Sequence, residues 1–142
     1  MTDTTPPLSP EDALVAVMFA TSAADQQLSD REIDTLKRLV SVLPVFENYD
    51  PAHIPTVFQT VFDLFDQDDG LDVLLGLVKA SLPPGLNETA YALACDVAAA
   101  DGAVQMEELR LLEMLRSDLE VDRLTAAAIE HGARARHRKL PR

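Results

Sequence analysis

Two nineteen-residue stretches of this chain lie over one another without a gap. They are SAADQQLSDREIDTLKRLV, residues 22–40, and AAADGAVQMEELRLLEMLR, residues 98–116, an offset of 76. Under it Ala24-Asp25 meets Ala100-Asp101, Leu28 meets Val104, Glu32 meets Glu108 and Leu36 meets Leu112. Each copy reads as an apolar helix, an Asp-containing turn and a second, amphipathic helix with Glu in its first turn. A duplicated unit of this kind must bury two like faces. Two copies are too few for a solenoid, so the expected solution is a bundle with internal pseudo-twofold symmetry.

The rest of the chain is helical by the same test, with apolar residues at helical spacing and no period-two run bounded by turn signals. Ser9-Pro10-Glu11-Asp12 supplies an N-cap, a proline at the first helical position and first-turn acids, opening a helix over about 10–24. A second helix follows Ser29, with Ile33, Leu36, Val40 and Leu43 on one face, and stops near Pro44. A third begins at Asp50-Pro51 and settles after Pro55, with Val57, Phe58, Val61, Phe62 and Phe65 as its buried stripe. The spacing of Phe58, Phe62 and Phe65 is that of a core face rather than a ligand box. A fourth helix, about 70–82, ends before Pro83-Pro84-Gly85; three more run from about 87 to 100, 106 to 118 and 121 to 134.

These elements predict an all-α, seven-helix bundle. Residues 1–8 are expected to form a disordered N-terminus and 9–133 a single domain, with halves at about 9–67 and 86–133 bridged by the helix at about 70–82. Residues 134–142 form a basic tail.

The formal charge is −12, but Arg134, Arg136, Arg138, Lys139 and Arg142 place 5 of the 12 basic residues in the last nine positions. The remaining body carries 7 basic against 24 acidic residues, a net of −17. Such a body repels phosphate backbones and attracts cations, which argues against nucleic-acid binding. The tail suits an anionic membrane or an acidic partner, or is a solvated end, the commoner case. The opening MTDTTPPLSPED lacks the basic and apolar regions of a signal peptide, and no run of eighteen apolar residues occurs. A cytoplasmic, non-membrane-spanning protein is expected. Cys95 lies within YALACDVAAA and reads as a small buried thiol.

The candidate chemistry sits in the repeated turn. Asp101 and Glu108, at the end of one helix and the start of the next, can converge and offer the oxygen ligands that hard cations such as Ca²⁺ prefer. The D-G-x5-E spacing matches the latter part of an EF-hand loop, but the register from Gly102 puts Val97 and Ala99 where two ligating aspartates belong. A true EF-hand is excluded. In DLFDQDDG, residues 63–70, the register from Gly70 puts Phe65, Gln67 and Gly76 at ligand positions, so Asp66, Asp68 and Asp69 read as a solvated turn beside a helix N-terminus.

Ser29-Asp30-Arg31-Glu32 is also a capping box, which contributes ~1 kcal/mol without any metal. In the second copy Gln105 replaces Ser29 and caps poorly, while Gly102 readily takes the positive φ that Gln26 would adopt at a cost of ~1 kcal/mol or more. Asp101 and Glu108 are therefore the better metal pair.

AAADGAVQMEELRLLEML, and more loosely SAADQQLSDREIDTLKRL, resembles the motif of the TerB tellurite-resistance protein family: an alanine-rich helix ending in A-D-G, a hydrophobic residue, a Ser-capped turn and Glu. Gln26 and Gln105 depart from it. The resemblance covers most of the chain and implies a cytoplasmic seven-helix bundle with pseudo-symmetry, whose motif acids bind divalent metal. Carried over by position, these are Asp25 and Glu32 in the first copy and Asp101 and Glu108 in the second. Asp34, Asp96 and Glu107 nearby read as solvent-facing charges rather than outer ligands. His53, His131 and His137 lack zinc-site spacing.

The resulting expectation is a non-catalytic, divalent-cation-binding protein of tellurite or chemical-stress resistance, taking Ca²⁺ first and Mg²⁺ or Mn²⁺ as alternatives, beside a protein partner at the membrane. The alternative is a helical scaffold or adaptor for a protein partner, in which the carboxylates only cap helices. A hydrolytic enzyme would need a Ser-His-Asp or Cys-His arrangement, a phosphate loop or a dinuclear His/Glu motif, and the sequence holds none.

Overall fold

The computed structural model describes residues 8–24, 29–100, 104 and 106–141. Of the N-terminal segment only Leu8 belongs to these residues, and its N–H donates to Ser81 Oγ at 3.0 Å. Among the described residues the chain forms seven α-helices and no strand. They are α1 (Pro10–Ala23), α2 (Asp30–Val42), α3 (Ile54–Phe65), α4 (Gly70–Ser81), α5 (Asn87–Ala99), α6 (Met106–Asp118) and α7 (Arg123–Arg136).

The offset of 76 seen in the sequence carries Asp30–Val42 onto Met106–Asp118 end for end, and Glu11–Ala23 onto Asn87–Ala99. Helices α1 and α5 form the centre. Every residue of α1 from Ala13 to Ala23 is buried, as are most of α5 from Ala90 to Ala98. Their alanine-rich surfaces let the two backbones approach, and a helix apolar all round belongs inside. The pairing of helices repeats with the sequence: α2 packs on α1 as α6 packs on α5, α3 on α1 as α7 on α5, and α2 on α5 as α6 on α1. Helix α4 has no counterpart in that scheme, and touches α1 and α3 on one side and α6 on the other.

Local signals set the helix ends. Ser9 caps α1 by accepting from the Asp12 N–H at 3.0 Å. Asp50 caps a 3-10 turn at Pro51–His53, and α3 follows directly from Ile54, with Pro55 in its first turn rather than ahead of it. Asp122 caps α7, and its carboxyl is held below the ordinary range by the Thr125 N–H and hydroxyl. Between α2 and α3, Tyr49 donates to Asp12 Oδ1 at 2.7 Å and ties that connection to the start of α1.

Two side chains depart from the sequence reading. Phe62, assigned to the core stripe, is 45% exposed. Phe19 of α1 stacks on Phe58 and meets Phe62 in a T-shaped contact, and Phe62 keeps nearly half of its surface in solvent. Asp96 is not solvent-facing but 8% exposed. Its Oδ1 accepts from Arg136 Nε at 3.1 Å and Nη2 at 2.7 Å, and lies 3.3 Å from His137 Nε2. The partner is forty residues downstream, beyond the reach of local pattern. A buried carboxylate needs such a partner, since stripping it of its hydrogen bonds leaves an uncompensated charge. Arg136→Ala is therefore expected to cost about 2 kcal/mol, and Arg136→Lys part of that, in urea unfolding. Equal stability of wild type and Arg136→Ala would show that the pair does not hold α7 to α5.

Candidate functional site

Glu32 and Glu108 are each the third residue of their helix, and each is buried, 2% and 1% exposed. Glutamate in the first turn of an exposed amphipathic helix ordinarily points to water. Here both carboxylates turn inward, at positions related by the internal repeat. Ser22 Oγ, in the last turn of α1, donates to Glu32 Oε1 at 3.0 Å. Ser29 caps α2 from outside, its Oγ accepting from the Glu32 N–H at 3.4 Å. The cap foreseen in the sequence is thus present, while the carboxylate itself reaches the central helix.

The second copy differs at the matching positions. Ala98 stands where Ser22 does and brings no hydroxyl to Glu108. Asp25 and Asp101, the other expected metal ligands, lie outside the described residues, as do Gln26, Gly102 and Gln105. Among the described residues no group of three or more His, Cys, Asp or Glu side chains converges. Asp34 and Glu107 are exposed, and Asp96 is engaged with α7. Asp66, Asp68 and Asp69 are exposed around the start of α4, with Asp69 at its N-cap.

The donor set offered by Glu32 and Ser22 is oxygen only: carboxylate and hydroxyl, beside the last turn of α1. That set fits a hard cation such as Ca²⁺, Mg²⁺ or Mn²⁺ and not a soft one. A cation bound there would supply charge neutralisation to the carboxylate.

Two clefts flank α6 and share Met114. One, about 880 Å³, opens between α5, α6 and α7 over Tyr91, Cys95, Leu112 and Glu130. Tyr91 donates to Glu130 Oε2, and burial with that hydrogen bond drives its hydroxyl pKa well upward. Burial above all pushes the Cys95 thiol from 9.0 up to about 12, with Glu130 and Asp96 adding to the effect against Tyr91 and Arg136. This is the inert buried cysteine expected from YALACDVAAA.

The raised thiol has a pH consequence. Above the ordinary thiol range the unfolded chain releases the Cys95 proton while the folded chain keeps it, so the unfolded state binds fewer protons and stability falls as pH rises. The contribution is complete below pH 9.0 and is lost towards about 12, with Tyr49 and Tyr91, both raised, acting in the same direction. Denaturant midpoints measured across that window should decline, and Cys95→Ala should flatten the earlier part of the decline. An unchanged slope in Cys95→Ala would contradict the assignment.

The second cleft, about 700 Å³, lies between the ends of α1 and α3, the start of α4 and one side of α6. No helix among the described residues is long and apolar enough to cross a membrane.

Among the described residues, a helical bundle built on a duplicated pair of helices, with a buried first-turn glutamate in each copy, defines the class of protein. The family model described as tellurite resistance protein TerB matches residues 11–131 of the 142-residue chain, and the chain belongs to that family. Searches of curated proteins and of solved structures returned no match.

Proposed function

We propose that this protein is a non-catalytic, divalent-cation-binding member of the TerB family, acting in the cytoplasm in resistance to tellurite or related chemical stress. Calcium is its first cation, with Mg²⁺ and Mn²⁺ as alternatives, and a protein partner at the membrane is the element it serves. The observation that carries this reading is the pair of buried glutamates at repeat-equivalent positions. A carboxylate taken out of water needs a hydrogen-bonding or cationic partner, and the same expense incurred twice points to a shared purpose. Asp25 and Asp101 are the proposed companions of Glu32 and Glu108.

Calorimetric titration with Ca²⁺ should give heats in wild type that Asp101→Asn/Glu108→Gln abolishes. Glu108→Gln should lose more heat than Glu32→Gln, because Gly102 takes a positive φ more readily than its counterpart Gln26. Bound calcium at one hundred times its dissociation constant should add about 2.7 kcal/mol to stability. Equal heats in wild type and the double variant would remove the site assignment.

A second reading is favoured by one observation: Ser22 and Ser29 already engage the Glu32 carboxylate and N–H. In that reading the glutamates are structural and the domain is a scaffold for a protein partner. Chelation with EDTA would then leave the melting temperature where it was.

A further inference from the structure

We infer that the cleft between α1, α3, α4 and α6 receives the C-terminal segment of a second copy of this chain, with Leu140 as the apolar anchor. The floor of the cleft is apolar, formed by Phe62, Phe65, Leu111 and Met114. Phe62 on that floor is 45% exposed. Among the described residues the rim is acidic: Asp66, Asp68 and Glu107 against Arg110. Ala23 and Phe65, the last residues of α1 and α3, line the same cleft, and neither helix carries a basic residue in its last turn. The negative ends of α1 and α3 are balanced by the positive starts of α4 and α6, which line the same cleft, so its excess charge is that of the three carboxylates against Arg110. The occupant that fits is a basic segment with one apolar side chain.

This chain holds such a segment. Its last nine residues contain five basic side chains and no acidic one. Leu140 is 91% exposed, flanked by exposed Arg138, Lys139 and Pro141. Within its own molecule the root of the segment is pinned elsewhere. Arg136 and His137 are held by Asp96, on α5, and α7 packs on α5, whereas the cleft is walled by other helices. The segment therefore leaves the bundle into solvent while the cleft stays open. Reciprocal exchange of segments between two molecules fills both clefts and closes a twofold dimer, the commonest symmetry of soluble oligomers. The larger cleft also has an acidic lining, Asp72, Glu113, Asp118 and Glu130 against Arg116 and Arg134, but Tyr91 and Glu130 already satisfy one another there and α7, the root of the segment, forms one of its walls.

Sedimentation of the full chain in EDTA, over a range of concentrations at low and high salt, tests the exchange independently of any metal site. At low salt the mass should climb from monomer towards dimer with concentration, and high salt should reverse it. Leu140→Asp and Asp66→Lys/Asp68→Lys should each weaken association about tenfold or more. Asp66→Lys/Asp68→Lys mixed with Arg138→Glu/Lys139→Glu should regain association that each lacks alone. A chain that stays monomeric throughout, or a dimer that Leu140→Asp leaves unmoved, overturns the inference.

Discussion

Phe19→Ala is expected to destabilise the protein by about 3–5 kcal/mol, the range for truncating a fully buried aromatic ring. Phe19 is 1% exposed in α1, the helix that meets α2, α3, α4, α5 and α6. Its ring lies 3.8 Å from that of Phe58, nearly parallel at 11°, and 5.2 Å from Phe62 at 76°. Removing it opens a void against α3 and strips Phe58 of its stacking partner, which adds to the transfer term. In a chain of this length a loss of that size lowers Tm by about 10 °C or more. Phe62→Ala is the control, because a half-exposed ring returns much less on burial, about 1 kcal/mol. Thermal melts of the two variants side by side check the claim. Comparable losses would mean that the buried Phe19 ring contributes no more to the α1–α3 contact than the half-exposed Phe62.

The second large effect is expected at Gly70. A Cβ there would stand 1.7 Å from the Leu64 carbonyl oxygen and 2.5 Å from its carbon, both backbone atoms that cannot step aside. Gly70→Ala must therefore pull the start of α4 away from the end of α3, at a cost of about 3 kcal/mol. Gly76 in the same helix has nothing within 4 Å of a Cβ, and Gly76→Ala should stabilise by up to about 1 kcal/mol through helix propensity. Chemical unfolding of the pair gives opposite signs if the close approach is real. A neutral Gly70→Ala would show that the α3–α4 turn adjusts freely.

The glycine illustrates how sequence and structure divide the explanation. In DLFDQDDG it served as a register mark that excluded an EF-hand, and that exclusion needed only counting. Its physical role is steric, set by the way α4 folds back on α3, and no spacing rule contains that distance. Asp96 and Phe62 follow the same logic. One was assigned to solvent and is buried under Arg136; the other was assigned to the core and is half outside.

Seven helices, their order, the repeat at an offset of 76 and the two first-turn glutamates were all legible in the chain. They rest on apolar periodicity, caps and proline positions, which act over a few residues and survive in the linear text. Which face of each helix meets which neighbour is decided by packing between segments tens of residues apart. That is why the burial of Glu32 and Glu108, the Asp96–Arg136 tie and the acidic cleft beside α6 emerged only from the tertiary structure. A glutamate in a first turn is a cap by local rules. It becomes a candidate ligand when the fold turns its carboxylate away from water.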